Sequence, residues 1–386
     1  MLPRRCPQPV LRVGPRRVTR WLHTQARYNT GVIKSPRMLF VTADMGAGHR
    51  QVATELVRRC SAIGAACEMV DVVRDAGRAG ARLVRSYRWL LAHAPWLYDA
   101  ALRVWARWPA PLEAFTGLNA APFERLLQAA VSRFAPDLVI SDFNLASQCL
   151  GRLVRREQVP APVATLVTDA GAHPYWVSRQ VSAHLVPTAI TGQRLAAMGA
   201  RGVRVVEPVL RPEFRDPPGR AAARDRLRLP ARRRIVLVTA GSWAVGGLPR
   251  TLAAVRGADD TLVVVLCGRD ETLRAQLRTM DDVLGVGWTS DVVAYLCAAD
   301  VVVDNAGGLT CWEALACGTP VVLFQPLVGH GRVNVATLDE LGLATWAHGR
   351  AELARLLTRP AELTAALPTG AAAADAVLLS LADARR

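Results

Sequence analysis

Lysine is almost missing from this chain. Of its 48 basic residues only Lys34 is a lysine; the rest are arginine. Such a skew reads as codon bias in a GC-rich genome rather than arginine selected for nucleic acid. No nucleic-acid recognition motif accompanies the formal charge of +16, so that function class is set aside. No stretch reaches the roughly 18–20 charge-poor apolar residues of a spanning helix. The eight cysteines contain no C-x-x-C pair, which argues against zinc and for reduced thiols in a cytoplasmic protein. Acidic residues are absent from positions 1–37, which hold nine basic ones. This tail lacks the apolar core of a signal peptide. It reads as a disordered tail or a misassigned start, since Met38 opens the first apolar run, rather than as an organellar targeting segment.

What remains is an apolar chain of 386 residues, 51% hydrophobic, long enough for two domains. Short apolar runs alternate with helical stretches. Expected strands are 38–42, 67–73, 138–141, 163–168, 184–186 and 203–206, then 235–239, 261–266, 283–285, 301–304 and 321–324. Runs without polar alternation fit parallel strands buried on both faces, and strand–helix alternation predicts βαβ units. The stretch "EPVLRPEFRDPPGRAAARDRL", residues 207–227, breaks the series with four prolines and reads as a linker. The fold class expected is therefore α/β. Two Rossmann-like, doubly wound domains, 38–210 and 211–350, face each other across a cleft, and a helical segment, 351–386, follows. Ligands bind beyond the carboxyl ends of such strands, so the cleft is the default site.

Two turns look built for chemistry. "LFVTADMGAGHR" ends an apolar run in Gly46, Ala47, Gly48 and His49. It has no G-K-[ST], so it is not a P-loop. Gln51 stands where a dinucleotide fingerprint needs its third glycine. The second turn, "VVVDNAGGLTCWEALACGTPVV", is a stronger phosphate cradle. Gly307 and Gly308 let backbone approach a ligand. The helix start that follows offers unpaired N–H groups, and Glu313, one turn in, can accept from a ribose diol. The bland reading is a tight turn followed by a first-turn acid favoured by the helix dipole. A third segment, residues 85–115, mixes Trp89, Trp96, Trp105 and Trp108 with arginines. An amphipathic helix of that composition suits a membrane interface, or it packs its aromatics inward; the pattern alone does not choose.

"NAGGLTCWEALACGTPVV" followed by "GHGRVN" resembles the nucleotide half of the GT-B glycosyltransferases, and the monogalactosyldiacylglycerol synthase family in particular, a relative of the lipid II-forming N-acetylglucosaminyltransferase. "TAGSWAVGG", "GVGWTSDVVAYLCAADVVV", "PDLVISDFNLASQ", "TDAGAHPYWV" and "SYRWLLAHAPWLYDA" resemble further family segments, so that the likeness spans about 38–350. The resemblance implies an inverting transfer of a hexose, galactose or glucose, from a UDP-sugar to a lipid such as diacylglycerol, without metal or other cofactor. For the donor it implies Gly241 and Ser242, Trp288 and Thr289 near uracil, and Gly307, Gly308, Leu309 and Thr310 along the diphosphate. It further implies Glu313 on the ribose, and His330 and Asn334 near the sugar. His330 departs from the glutamine common there. Arg269 and Arg332 are candidate helpers for the diphosphate charge.

The base is expected from the opposite domain. His49 titrates near neutrality, Asp44 is placed to orient it, and Asp169 and His173 are second candidates. Gly46, Gly48, His173, Trp176 and Trp96 are the expected acceptor contacts. The pairs Asp259–Asp260 and Asp281–Asp282 read as surface turns, not a metal-binding D-x-D. A lipid acceptor implies a peripheral position on the inner membrane face. The alternatives are a polyprenyl or natural-product acceptor, or a non-catalytic or epimerase-like NDP-sugar-binding relative, since fold does not fix function.

Overall fold

The computed structural model describes residues 35–239, 247–256 and 260–384. The basic tail up to residue 34 lies outside them, as do Gly241, Ser242 and Asp259. Arg37, grouped with the tail by charge, instead begins the first strand and donates through Nε to the Phe134 carbonyl at 2.9 Å.

Two parallel six-stranded sheets organise the described residues. The first holds β1 (Arg37–Thr42), β2 (Ala66–Asp71), β3 (Leu138–Ser141), β4 (Val163–Leu166), β5 (Ala183–Val186) and β6 (Val203–Val205), ordered β2-β1-β3-β4-β5-β6. The second holds β7 (Arg234–Thr239), β8 (Thr261–Gly268), β9 (Val283–Gly287), β10 (Val301–Asp304), β11 (Val321–Leu323) and β12 (Thr345–Trp346), ordered β12-β11-β10-β7-β8-β9. The expected α/β architecture of two Rossmann-like halves is what forms. The run 67–73 stops early as a strand, because Asp71 accepts from the N–H groups of Val73 and Arg74 and starts a helical turn. β12, two residues long, gave no periodic signal.

Each sheet buries both faces. In β1, Met38 and Phe40 point one way, against Val52, Leu56 and Cys60 of the helix Ala47–Ala62. Leu39 and Val41 point the other way, against Phe123, Leu127 and Leu150, as the two-residue period of a strand requires. In β7, Ile235 and Leu237 meet Trp312 and Leu338, while Val236 and Val238 meet Leu252 and Leu353.

The proline-rich linker belongs partly to the second half: its helix Arg220–Leu227 buries Ala223 there. The final segment is shared as well. The helix Arg350–Thr358 packs Leu353 and Leu356 into the second half, whereas Ala374–Asp383 returns to the first and sets Ala374, Leu378 and Ala382 beside Met38 and Phe40. The chain thus crosses between halves twice, and the crossings touch. Val206 bridges Ala372, and the Glu207 N–H donates to the Ala372 carbonyl at 3.0 Å. Buried Arg59 stitches both: it donates to the Leu210 carbonyl at 2.6 Å and lies 3.7 Å from Asp375.

The aromatic segment forms the helices Arg78–His93 and Pro95–Arg107 and the start of Pro109–Phe134. Part of it packs inward, as one reading of its sequence expected, and part stays on the surface. Tyr98, Leu102 and Trp105, spaced four and three apart, are buried with Leu112. Trp96, Trp108 and Trp89 are 66%, 59% and 56% exposed. Among the described residues no helix is long and apolar enough to cross a membrane.

Candidate active site

Rossmann-like sheets open a crevice where strand order reverses, here between β1 and β3 and between β7 and β10. A cleft of about 500 Å³ lies between the halves, with Gly46, Gly48 and His49 on one wall and Gly308, Thr310 and Glu313 on the other. The walls nearly touch: a Cβ at Gly48 would stand 3.7 Å from the Leu309 Cβ.

His49 sits at the start of the helix that follows β1. Its ring lies edge-on to Phe143 at 5.5 Å and 6.4 Å from Trp176. Burial lowers its pKa from the ordinary 6.5, while the Asp169 charge and the Asp142 backbone pull the other way. The imidazole is therefore neutral at physiological pH and able to accept a proton. Its Nδ1 is buried with no hydrogen-bond partner among the described residues.

Asp44 does not orient this ring. Its backbone N–H is held by Asp71 Oδ1 at 3.1 Å, and its exposed side chain faces a wider opening lined by Arg50, Arg58, Arg85 and Arg88. The carboxylate acting on His49 is Asp169, at the end of β4. Asp169 accepts from Trp176 Nε1 at 2.8 Å, His173 Nε2 at 3.2 Å and Asn334 Nδ2 at 2.9 Å. Burial opposes its charge, yet the bonds from His173 and Asn334 and the nearby His330 and His173 hold it far below the usual carboxylate range. Asp169 is thus a fixed anion and a poor base; what it can do is stabilise an imidazolium on His49.

That arrangement corrects two expected acceptor contacts. His173 and Trp176 are 2% and 1% exposed, because their N–H groups turn inward to Asp169. They position the anion and offer no surface to a ligand. Trp96 is exposed on the outer face and does not line the cleft.

On the opposite wall, Asp304 ends β10 and organises the turn. It accepts from Thr239 Oγ1 at 2.7 Å and from the N–H groups of Ala306 and Gly307, each at 2.8 Å. Gly307 has φ +64°, and a Cβ there would lie 2.8 Å from the Asn334 Cβ. The N–H of Gly307 is therefore spent inside the protein, which removes it from the expected diphosphate contacts. The helix Leu309–Ala316 has no side-chain N-cap, and Gly308, Leu309 and Thr310 line the cleft. Their backbone can meet an anion.

Glu313, 4% exposed, receives a bond from Arg211 Nη2 at 3.2 Å. Burial pushes its pKa up to about 7, against the pull of Arg211 and with a further push from Glu213. Trp288 is 55% exposed at the rim, with the Arg269 guanidinium 4.6 Å over its ring, and Thr289 lies beside it. Arg269 is thus held on an aromatic face. Arg332 is not a diphosphate helper: it pairs with Asp99 at 2.9 Å. His330 lines the cleft, its pKa lowered by burial against the pull of Asp169. Asn334, 1% exposed, cannot reach a sugar. It donates to Asp169 and to the Ala306 carbonyl at 3.2 Å, and accepts from the Gly171 N–H at 2.9 Å. Asp260 and Asp282 sit on the surface facing Arg233. Among the described residues no group of three or more His, Cys, Asp or Glu is placed to hold a metal.

Sequence reasoning missed Asp304, Arg211 and Asp99. Asp304 carried a readable signal, an acid at a strand end before Gly-Gly. Arg211 and Asp99 had none, since their partners lie 102 and 233 positions away.

Residues 49–206 match the model of the monogalactosyldiacylglycerol (MGDG) synthase family. A processive diacylglycerol beta-glucosyltransferase of Bacillus thuringiensis (strain Al Hakam) is 25% identical over 334 residues, covering 81% of this chain and 82% of the relative. Among solved structures, MurG of Acinetobacter baumannii superposes with TM-score 0.53 at 15% identity, over 92% of this chain and 95% of that one. Anabaena HepE in complex with UDP-glucose superposes with TM-score 0.51 at 14% identity, over 90% and 98%. With two facing Rossmann-like halves and a cleft between them, the chain is a glycosyltransferase of the GT-B fold, similar over residues 49–206 to the MGDG synthase family.

Proposed function

We propose that the enzyme transfers a hexose, glucose or galactose, from a UDP-sugar to diacylglycerol at a membrane surface. One observation carries this reading: a neutral, half-buried histidine faces an uncapped helix start and a buried glutamate across a single cleft. That is the division of labour a sugar-nucleotide transferase needs. The relative named for diacylglycerol glucosylation supports the acceptor, and the HepE complex supports a UDP-sugar in this fold.

In this mechanism the acceptor hydroxyl gives its proton to His49 as its oxygen attacks the anomeric carbon. The bond from that carbon to the UDP oxygen breaks in the same displacement, so configuration inverts and no sugar is attached to the enzyme. The anionic Asp169 stabilises the imidazolium. Backbone N–H groups of Gly308, Leu309 and Thr310, at the positive end of the helix dipole, receive the charge of the departing diphosphate. Gly241 and Ser242 are proposed to assist, Glu313 to hold the ribose, and Trp288 and Thr289 to flank the base. His330 stands nearest the sugar.

The lipid acceptor reaches the cleft past the exposed Trp89, Trp96 and Trp108, which stand among the exposed arginines Arg82, Arg85, Arg103 and Arg107. Each arginine adds about 1 kcal/mol of attraction to an anionic leaflet, which supports a peripheral position on the inner face. The test is incubation of purified protein with a panel of UDP-sugars and diacylglycerol vesicles. Glycolipid and free UDP are expected together; UDP release only with a water-soluble aglycone overturns the lipid acceptor.

A further inference from the structure

The helix Pro95–Arg107 does more than present tryptophans. Its inner face reaches across to the second half at one turn, residues 328–330, immediately before the helix His330–Glu340. Gly329 adopts φ +81°, and a Cβ there would lie 2.4 Å from two carbons of the Tyr98 ring. The backbone therefore packs closely against that ring, and only glycine fits. Asp99 completes the contact. Its Oδ1 accepts from the Gly329 N–H at 3.2 Å, and its Oδ2 accepts from Arg332 at 2.9 Å. The carboxylate thus stands at the positive end of the helix dipole. The Tyr98 hydroxyl is 3.5 Å from His330 Nδ1, and Tyr87 meets the Tyr98 ring edge-on at 5.8 Å.

The helix so gripped brings His330 to the cleft and Asn334 to Asp169. We propose that Tyr98 and Asp99 are positioning residues. They hold the turn 328–330 against the first half, and so tie the donor-side wall of the cleft to the surface helix whose outer face carries Trp96 and Trp108. The inference rests on the proposed UDP-sugar reaction only for its kinetic readout.

Two measurements test it on the full chain. Hydrogen exchange of the segment 328–334, with no substrate added, reads the grip directly. Asp99→Asn removes the charge that holds Arg332 and weakens the bond to Gly329, so exchange there should speed by about tenfold or more while β1 and β7 stay protected. In transfer assays, Asp99→Asn should raise the KM for UDP-glucose by about tenfold, and Tyr98→Phe, which keeps the ring against Gly329 and loses only the 3.5 Å contact with His330, should raise it by less. Neither should change binding to phosphatidylglycerol vesicles by more than about twofold, because the outer face is intact. Asp99→Glu, which keeps the charge, should recover part of the donor KM. Unchanged exchange at 328–334 in Asp99→Asn overturns the proposal. So does a loss of vesicle binding in step with the donor KM, which would make the helix only an anchor. Should the wild-type enzyme fail to use UDP-glucose, the exchange result still decides the grip, and the reaction reading fails alone.

Discussion

The turn after β1 and the turn after β10 share one grammar: strand, glycines, helix. They differ in what fills the helix start. After β10, Asp304 takes up the N–H groups of Ala306 and Gly307, and Gly308, Leu309 and Thr310 line the cleft, with Glu313 one turn in. After β1 an acid from the neighbouring strand, Asp71, takes only the Asp44 N–H, and an imidazole stands at the helix start, its pKa lowered by burial. The same backbone device thus makes an anion cradle on one wall and a base platform on the other. A missing third glycine in the first turn is what that division of work predicts.

Replacing His49 by Ala should break the comparison most visibly. We expect kcat to fall about 10³-fold, within the range for a lost general base, with UDP-glucose affinity changed less than twofold. Equal loss of affinity, measured by calorimetry, would show that both turns bind the nucleotide. Glu313→Gln should do the reverse, weakening UDP-glucose about tenfold through its charged hydrogen bonds while kcat at saturation changes little.

A proton can tell the two walls apart as well. Glu313 is shifted up to about 7 and accepts more strongly from a ribose diol, through both oxygens, when it is ionised. UDP-glucose should therefore bind more tightly as pH rises through about 7, and this dependence should vanish in Glu313→Gln. His49 is shifted down, so the acid limb of the rate at saturating donor should lie below 6.5. An acid limb above that value would place the base elsewhere. The last effect expected is on folding stability alone. Asp304→Ala leaves two N–H groups of a partly buried turn without their acceptor, for a loss of about 1–3 kcal/mol in stability, read by denaturant unfolding.

The sequence made the sheets legible because strands buried on both faces are short unbroken apolar runs, and it made the two turns legible because glycine and histidine mark them. It placed His49 and Glu313 on opposing walls for the same reason. It misplaced Asn334, assigned near the sugar by resemblance, and His173 and Trp176, expected as acceptor contacts. Their N–H groups are spent on Asp169: His173 and Trp176 turn back to it from the same loop, and Asn334 reaches it only when the helix His330–Glu340 comes alongside. Asp44 was misread through proximity in sequence, and Arg332 through its charge. The aromatic segment was ambiguous because its tryptophans serve both faces of one helix.

The two crossings between halves lie side by side, joined at Val206 and Ala372 and stitched by Arg59. A body hung at two adjacent points along one line swings like a door and does not drift like a kite on a string. An opening of the cleft that kept that line intact would have to part the contacts that join the halves elsewhere, Tyr98 with Gly329 and Asn334 with Asp169 among them. The hinge also makes the end of the chain matter to its beginning. Trimming the helix Ala374–Asp383 would strip apolar cover from β1, at the opposite end of the sequence, and slacken the door at the frame rather than at the latch.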